Sequence, residues 1–100
     1  MSEKLVRDRI PELLARLGIN RRFRTVLDRE RLPWLLAKCA EECGEVIADP
    51  SAEEIADLLE VLQALASQCG LDWASVEKVQ HDKRRERGGF DEGFVMEVVD

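Results

Sequence analysis

The sequence predicts a mainly α-helical single domain: a bundle of about four helices with at most one short β segment. Three observations carry this. Leu, Ala, Glu and Arg, all good helix formers, dominate the composition, Tyr is absent and β-branched residues are sparse. Apolar residues recur at intervals of three and four over two long stretches. Gly18, Pro50, Gly70 and Gly88-Gly89 punctuate the chain at the ends of those and neighbouring stretches. The 100 residues, 45% apolar and 36% charged, form one globular domain spanning positions 1–100. A domain this small buries only roughly 65% of its chain surface. Completion of the bundle by oligomerisation, most simply as a homodimer, is therefore expected.

The first element lies within Lys4–Leu17, as a helix or a helix with an extended lead-in. Leu5, Ile10, Leu13, Leu14 and Leu17 are its apolar set, Pro11 fits a first turn and Gly18 is a stop. Arg22–Leu27 alternates weakly and is the candidate β segment. Asp28 is a candidate cap for the second helix, about Pro33 to Ala48, whose stripe is Leu35, Leu36, Cys39, Cys43, Val46 and Ile47. Gly44 inside that helix costs about 1 kcal/mol against Ala, which close helix packing would explain. Asp49-Pro50 breaks the helix. Ser51, with Glu54 three residues on, has capping-box spacing and opens the third helix, which runs to about Gln68 through Ile55, Leu58, Leu59, Leu62 and Leu65. A more polar fourth helix spans Asp72–Arg87, and Phe90–Val99 is read as a short strand or an arm. The short connection makes the second and third helices antiparallel.

The net charge of -6 excludes a general attraction to duplex nucleic acid or to an anionic membrane. The charge is uneven: acid gathers in Glu41–Glu60 and base in Lys78–Arg87, which suits an anionic ligand accompanied by a cation. Cys39, Cys43 and Cys69 give no disulfide framework. No apolar signal core or membrane-length stretch is present, so a cytoplasmic location is expected.

Two carboxylate pairs carry the chemical reading. Glu42 and Glu45 are three apart on the second helix, and Glu54 and Asp57 are three apart on the third. That spacing places each pair about 5–6 Å apart on one face. Folded about Asp49-Pro50, Glu45 falls opposite Glu54 and Glu42 opposite Asp57. Four unpaired carboxylates beside a core repel strongly. A hard divalent cation, magnesium or manganese, removes the conflict, because it takes oxygen ligands and leaves positions for water and phosphate. No His lies near, which disfavours zinc. The bland alternative is a solvated, helix-favouring acidic face.

Glu41-Glu42-Cys43-Gly44-Glu45 on one helix, followed by Glu54-Ile55-Ala56-Asp57 on the next, resembles the all-α nucleotide pyrophosphohydrolases. These include MazG-like proteins, dimeric dUTPases and phosphoribosyl-ATP pyrophosphohydrolase. Lys4-Leu-Val-Arg-Asp-Arg-Ile-Pro11 and Lys83-Arg-Arg-Glu-Arg-Gly-Gly-Phe90 resemble flanking segments of one small branch. The resemblance implies hydrolysis between the α and β phosphates, giving a nucleoside monophosphate and pyrophosphate. It implies magnesium on Glu42, Glu45, Glu54 and Asp57, and Glu41 as the base that deprotonates water. Lys83, Arg84 and Arg87 are the candidate phosphate contacts, since Arg forks match phosphate oxygens and Gly88-Gly89 permits close approach. Lys4, Arg7 and Asp8 either join the site or form a structural salt-bridge network. Trp34, Trp73 and Phe90 are candidates for base stacking or packing, and His81 reads as a surface residue. The alternatives are a non-enzymatic helical oligomer that binds a nucleotide or protein partner, and the phosphoribosyl-ATP step of histidine biosynthesis.

Overall fold

Asp49-Pro50 divides the longest helical part of the chain, and everything that positions the acidic residues follows from that break. The computed structural model describes residues 2–99. Its helices are α1, Ile10–Arg16; α2, Arg31–Ala48; α3, Ala52–Gln68; and α4, Trp73–Arg87. A 3-10 turn, Asp28–Glu30, leads directly into α2. No strand occurs among the described residues.

Pro33 sits in the first turn of α2, where its missing N–H would have had no partner. Asp49 is extended, the conformation a following proline favours. Ser51 then caps α3, its hydroxyl accepting from the Glu54 backbone N–H at 3.3 Å. At the far end, Gly70 adopts a positive φ and closes a Schellman motif: Leu71 N–H donates to the Ala66 carbonyl at 2.8 Å and Gly70 N–H to Ser67 at 3.0 Å. Gly18 ends α1 the same way, with Ile19 N–H on the Leu14 carbonyl at 2.9 Å. Asp28 is not the expected side-chain cap. Its carboxylate lies 3.7 Å from Arg31, while its carbonyl accepts from Gln68 Nε2 at 2.8 Å, tying the start of α2 to the end of α3.

The packed unit is the antiparallel α2–α3 hairpin, with α4 touching α3 alone and α1 packed against no other helix. Leu35, Val61 and Ala66 are the buried apolar residues. Each large one contributes about 1.5–3 kcal/mol, a small core for a chain of this length. The radius of gyration, 17.5 Å, is correspondingly well above the roughly 13 Å of a compact 100-residue domain. Each long helix carries a second apolar stripe that stays exposed: Leu32, Leu36 and Ile47 on α2, and Ile55, Leu59 and Leu62 on α3.

Two local expectations change and a third narrows. Arg22–Leu27 is irregular, because no second strand lies beside it to form a ladder. Arg24 holds this segment instead, with two hydrogen bonds to Glu3 (2.9 and 3.0 Å) and its guanidinium 5.5 Å from the centre of the Trp34 ring. Of the two readings for residues 90–99, the strand is absent and the segment is an exposed arm, with Phe90 99% exposed. A Cβ at Gly44 would meet nothing within 4 Å, so close helix approach does not explain that glycine.

Candidate metal centre

The hairpin brings three of the four predicted ligands together. Glu42, Glu54 and Asp57 each offer a carboxylate oxygen, and these oxygens lie within 4.8 Å of one another. Glu42 comes from the middle of α2; Glu54 and Asp57 come from the first turns of α3. Glu42 is 8% exposed, the buried charged residue among those described, while Glu54 and Asp57 are half-buried.

Glu45 is exposed and stands outside the group. The reason is rotational: two residues three apart on a helix differ by about 60° around the axis. Glu42 faces α3, which leaves Glu45 toward the solvent edge. Its charge still reaches the site. The Glu54 carboxyl is raised above its ordinary value, first by partial desolvation and then by Glu45, Asp57, Glu42 and Asp49.

Three cations answer this charge. Lys38 Nζ lies 3.3 Å from Glu42 and 3.4 Å from Glu41, one helical turn away on α2. Lys4 Nζ lies 3.4 Å from the same Glu41 oxygen. Arg7 Nη2 donates to Asp57 at 2.7 Å. The N-terminal segment thus forms salt bridges with residues of the acidic group through Lys4 and Arg7. For Glu41, partial burial pushes the carboxyl up, but the charges and hydrogen bonds of Lys38 and Lys4 outweigh it and hold the group below its ordinary value. Glu41 is half-buried beside Glu42, with one carboxylate oxygen engaged by both ammonium groups. Lys38 was missed in the sequence, although its spacing of three and four from Glu41 and Glu42 is the helical ion-pair signature.

The donor set fits a hard cation. Six carboxylates (Glu41, Glu42, Glu45, Asp49, Glu54 and Asp57) face three cations, so acid outnumbers base. Adjacent oxygens on octahedral magnesium are about 3.0 Å apart, from bonds of ~2.1 Å, so three oxygens spread over up to 4.8 Å must draw together by side-chain rotation to share one ion. Cys39 and Cys43 lie on the same helix but belong to no ligand group among the described residues, and burial raises the Cys39 thiol further from the thiolate a metal would need.

The basic end of α4 is not joined to this site within one chain. Lys83, Arg84 and Arg87 are exposed, and no ion pair among the described residues links them to the acidic group. Arg84 faces Asp91 at 3.9 Å, and its guanidinium occupies the space a Cβ at Gly89 would need, 2.7 Å away. Lys78 and Arg85 both pair with Asp82, and His81 is exposed. The two best-formed surface hollows also lie elsewhere. One, about 390 Å³, is lined by Pro11, Ala15, Ile19 and Phe23; the other, about 530 Å³, by Ala74, Lys78, His81 and Arg85. No helix among the described residues is long and apolar enough to cross a membrane. No protein family, curated protein or solved structure matches the chain.

Proposed function

We propose that the chain is a magnesium-dependent nucleotide pyrophosphohydrolase that cleaves a nucleoside triphosphate or related nucleotide between its α and β phosphates. The observation that carries this is the convergence of Glu42, Glu54 and Asp57 oxygens within 4.8 Å, beside an ionised Glu41. Glu42, Glu54 and Asp57 are the proposed ligands for magnesium or manganese, with Glu45 adding negative charge beside them. Bound there, the ion would neutralise phosphate oxygens and the leaving pyrophosphate.

The chain's own groups supply the rest. Glu41 orients a water and accepts its proton as the water oxygen bonds to phosphorus; the phosphoanhydride bond breaks and pyrophosphate leaves. Lys38, donating to Glu41 and paired with Glu42, fixes where that carboxylate stands. Because the acidic face is open, a second copy is proposed to wall it, covering the exposed stripes of α2 and α3 and bringing Lys83, Arg84 and Arg87 to the outer phosphates. The opposite charges of the acidic hairpin and the end of α4 favour that arrangement. The test is a nucleoside triphosphate panel assayed with and without magnesium. Magnesium-dependent release of pyrophosphate and a monophosphate is expected. Orthophosphate release alone, with pyrophosphatase excluded, overturns the site of attack, and no turnover of any member overturns the enzyme reading.

A further inference from the structure

Besides Lys38 of α2, the cations paired with the acidic residues of the site come from the N-terminal segment, not from α4, and their setting gives them a role of their own. Residues 2–8 form no regular structure, yet Leu5 and Val6 are half-buried. The residues on either side of that pair, Lys4 and Arg7, stay open, with 65% and 54% of their side chains exposed. Each reaches across the fold to a carboxylate 37 or 50 positions away. Arg7 uses one N–H on Asp57 and Lys4 one on Glu41, which leaves the other donors of each free to meet an anion.

Resting on the metal-site reading above, we infer that Lys4 and Arg7 are exchangeable counter-ions that hold Glu41 and Asp57 in the metal-free chain and grip the phosphate chain of the substrate once a divalent cation takes over Asp57. Three observations support it. Asp57 is both the partner of Arg7 and a member of the ligand group, so the guanidinium and a metal compete for one carboxylate. Both cations are on the solvent side of the acids, where an incoming triphosphate would first arrive. Leu5 and Val6, half-buried between the two cations, favour the segment staying in place when Arg7 gives up Asp57, so the exchange needs only side-chain rotation. A guanidinium freed from one oxyanion presents its fork to the next. Lys38 cannot take this role, because only 15% of its side chain is exposed.

The experiment separates metal from phosphate. Manganese binding is measured by electron paramagnetic resonance, and inorganic tripolyphosphate binding by calorimetry at saturating manganese. The proteins are wild type, Arg7→Ala, Lys4→Ala, Arg7→Lys and, as a control of equal charge change, Arg85→Ala, with helicity checked by circular dichroism. Arg7→Ala is expected to bind manganese as tightly as wild type or up to several-fold more tightly, since a competitor is gone, and to bind tripolyphosphate at least tenfold more weakly. Lys4→Ala should show a smaller loss of the same kind, Arg7→Lys a partial recovery, and Arg85→Ala neither change. Tripolyphosphate affinity within twofold of wild type in both alanine variants, with manganese binding intact, overturns the inference alone. Parallel loss of both ligands in Arg7→Ala also overturns it, by making the residue structural. Failure of wild type to bind manganese overturns the carboxylate site itself and this inference with it.

Discussion

Replacing Lys38 by Met tests the electrostatic logic of the site through stability rather than turnover. Met keeps most of the aliphatic stem, so little packing is lost. What disappears is the ammonium 3.3 Å from Glu42 and 3.4 Å from Glu41. The side chains of Lys38 and Glu42 are only 15% and 10% exposed, so water replaces the lost partner poorly. Removing one member of a buried pair costs about 3–5 kcal/mol. Here the contact is longer than a strong charge-assisted bond and a little solvent remains, so about 2–3 kcal/mol is expected. With a urea m-value of about 1–1.5 kcal/mol per molar, the unfolding midpoint falls by about 2 M.

Magnesium should restore most of that loss. A ligand at a hundred times its dissociation constant stabilises the wild type by about 2.7 kcal/mol. The variant should gain more, because the ion then also supplies the missing positive charge. Adding Glu42→Gln to Lys38→Met should recover stability without metal, since the stranded charge is removed. Urea titrations at fixed protein concentration, with and without magnesium, read the wild type, the single variant and the double variant. If Lys38→Met lies within 0.5 kcal/mol of wild type, or gains no more from magnesium than wild type does, the argument that Glu42 needs a compensating cation fails.

Glu54→Gln and Asp57→Asn should abolish magnesium-dependent pyrophosphate release, and metal-free Glu54→Gln, which relieves repulsion and breaks no ion pair, should melt at or above the wild-type temperature; full activity in both would remove the ligand assignment. Gly44→Ala should stabilise by about 0.5–1 kcal/mol in urea, since the new methyl meets nothing within 4 Å, and a loss instead would reveal a contact made by a second copy. Ser51→Ala should cost about 0.5–1 kcal/mol, the low end for a cap because the hydrogen bond is 3.3 Å long; no change would show that the bond does not form in solution. Cys39 should be alkylated by iodoacetamide more slowly than Cys43 and Cys69 at pH 8, because it is half-buried and its thiol is raised by burial and by Cys43; peptide mapping after a timed pulse checks the order. Light scattering at micromolar concentration should give a dimer, and a stable monomer would remove the proposed wall of the site.

Local signals carried most of the fold. Ser51 and Glu54 marked the start of α3, Gly70 its end, and Asp49-Pro50 the hairpin, because each acts through its own backbone. Arg22–Leu27 misled because alternation describes a strand only when another strand is adjacent, which is a property of the whole fold. In the site, spacing alone placed Glu42, Glu54 and Asp57 together. It did not separate Glu45, because mirror symmetry about the turn fixes height along the helices but not rotation about their axes. Arg7 and Asp57 are 50 residues apart with no shared periodicity, so their pairing was invisible before the path of the N-terminal segment was known.

The small core and the acidic site bear on one another physically. Leu35, Val61 and Ala66 cannot offset both chain entropy and the mutual repulsion of carboxylates between the helices that bury them. Moving the acids outward would relieve the repulsion and disperse the ligand group. The chain instead surrounds them with Lys38 from the same helix and with Lys4 and Arg7 from a segment that has no regular structure of its own. Of these, Lys38 is the most enclosed, and Arg7 alone shares its partner, Asp57, with the proposed ligand group. The exposed stripes through Leu36 and Ile47 and through Ile55, Leu59 and Leu62 then have a counterpart role: burying them against a second copy adds the apolar stabilisation the hairpin lacks, without requiring any acid to leave the site. Association and metal binding should therefore reinforce one another. On the proposed reading, magnesium would relieve the repulsion between α2 and α3, and a second copy would hold the two helices at the separation the ligand group needs. Dilution in the presence of magnesium should accordingly dissociate the assembly at lower protein concentration than dilution in chelator, and dissociation at the same concentration in both would show that the two processes are independent.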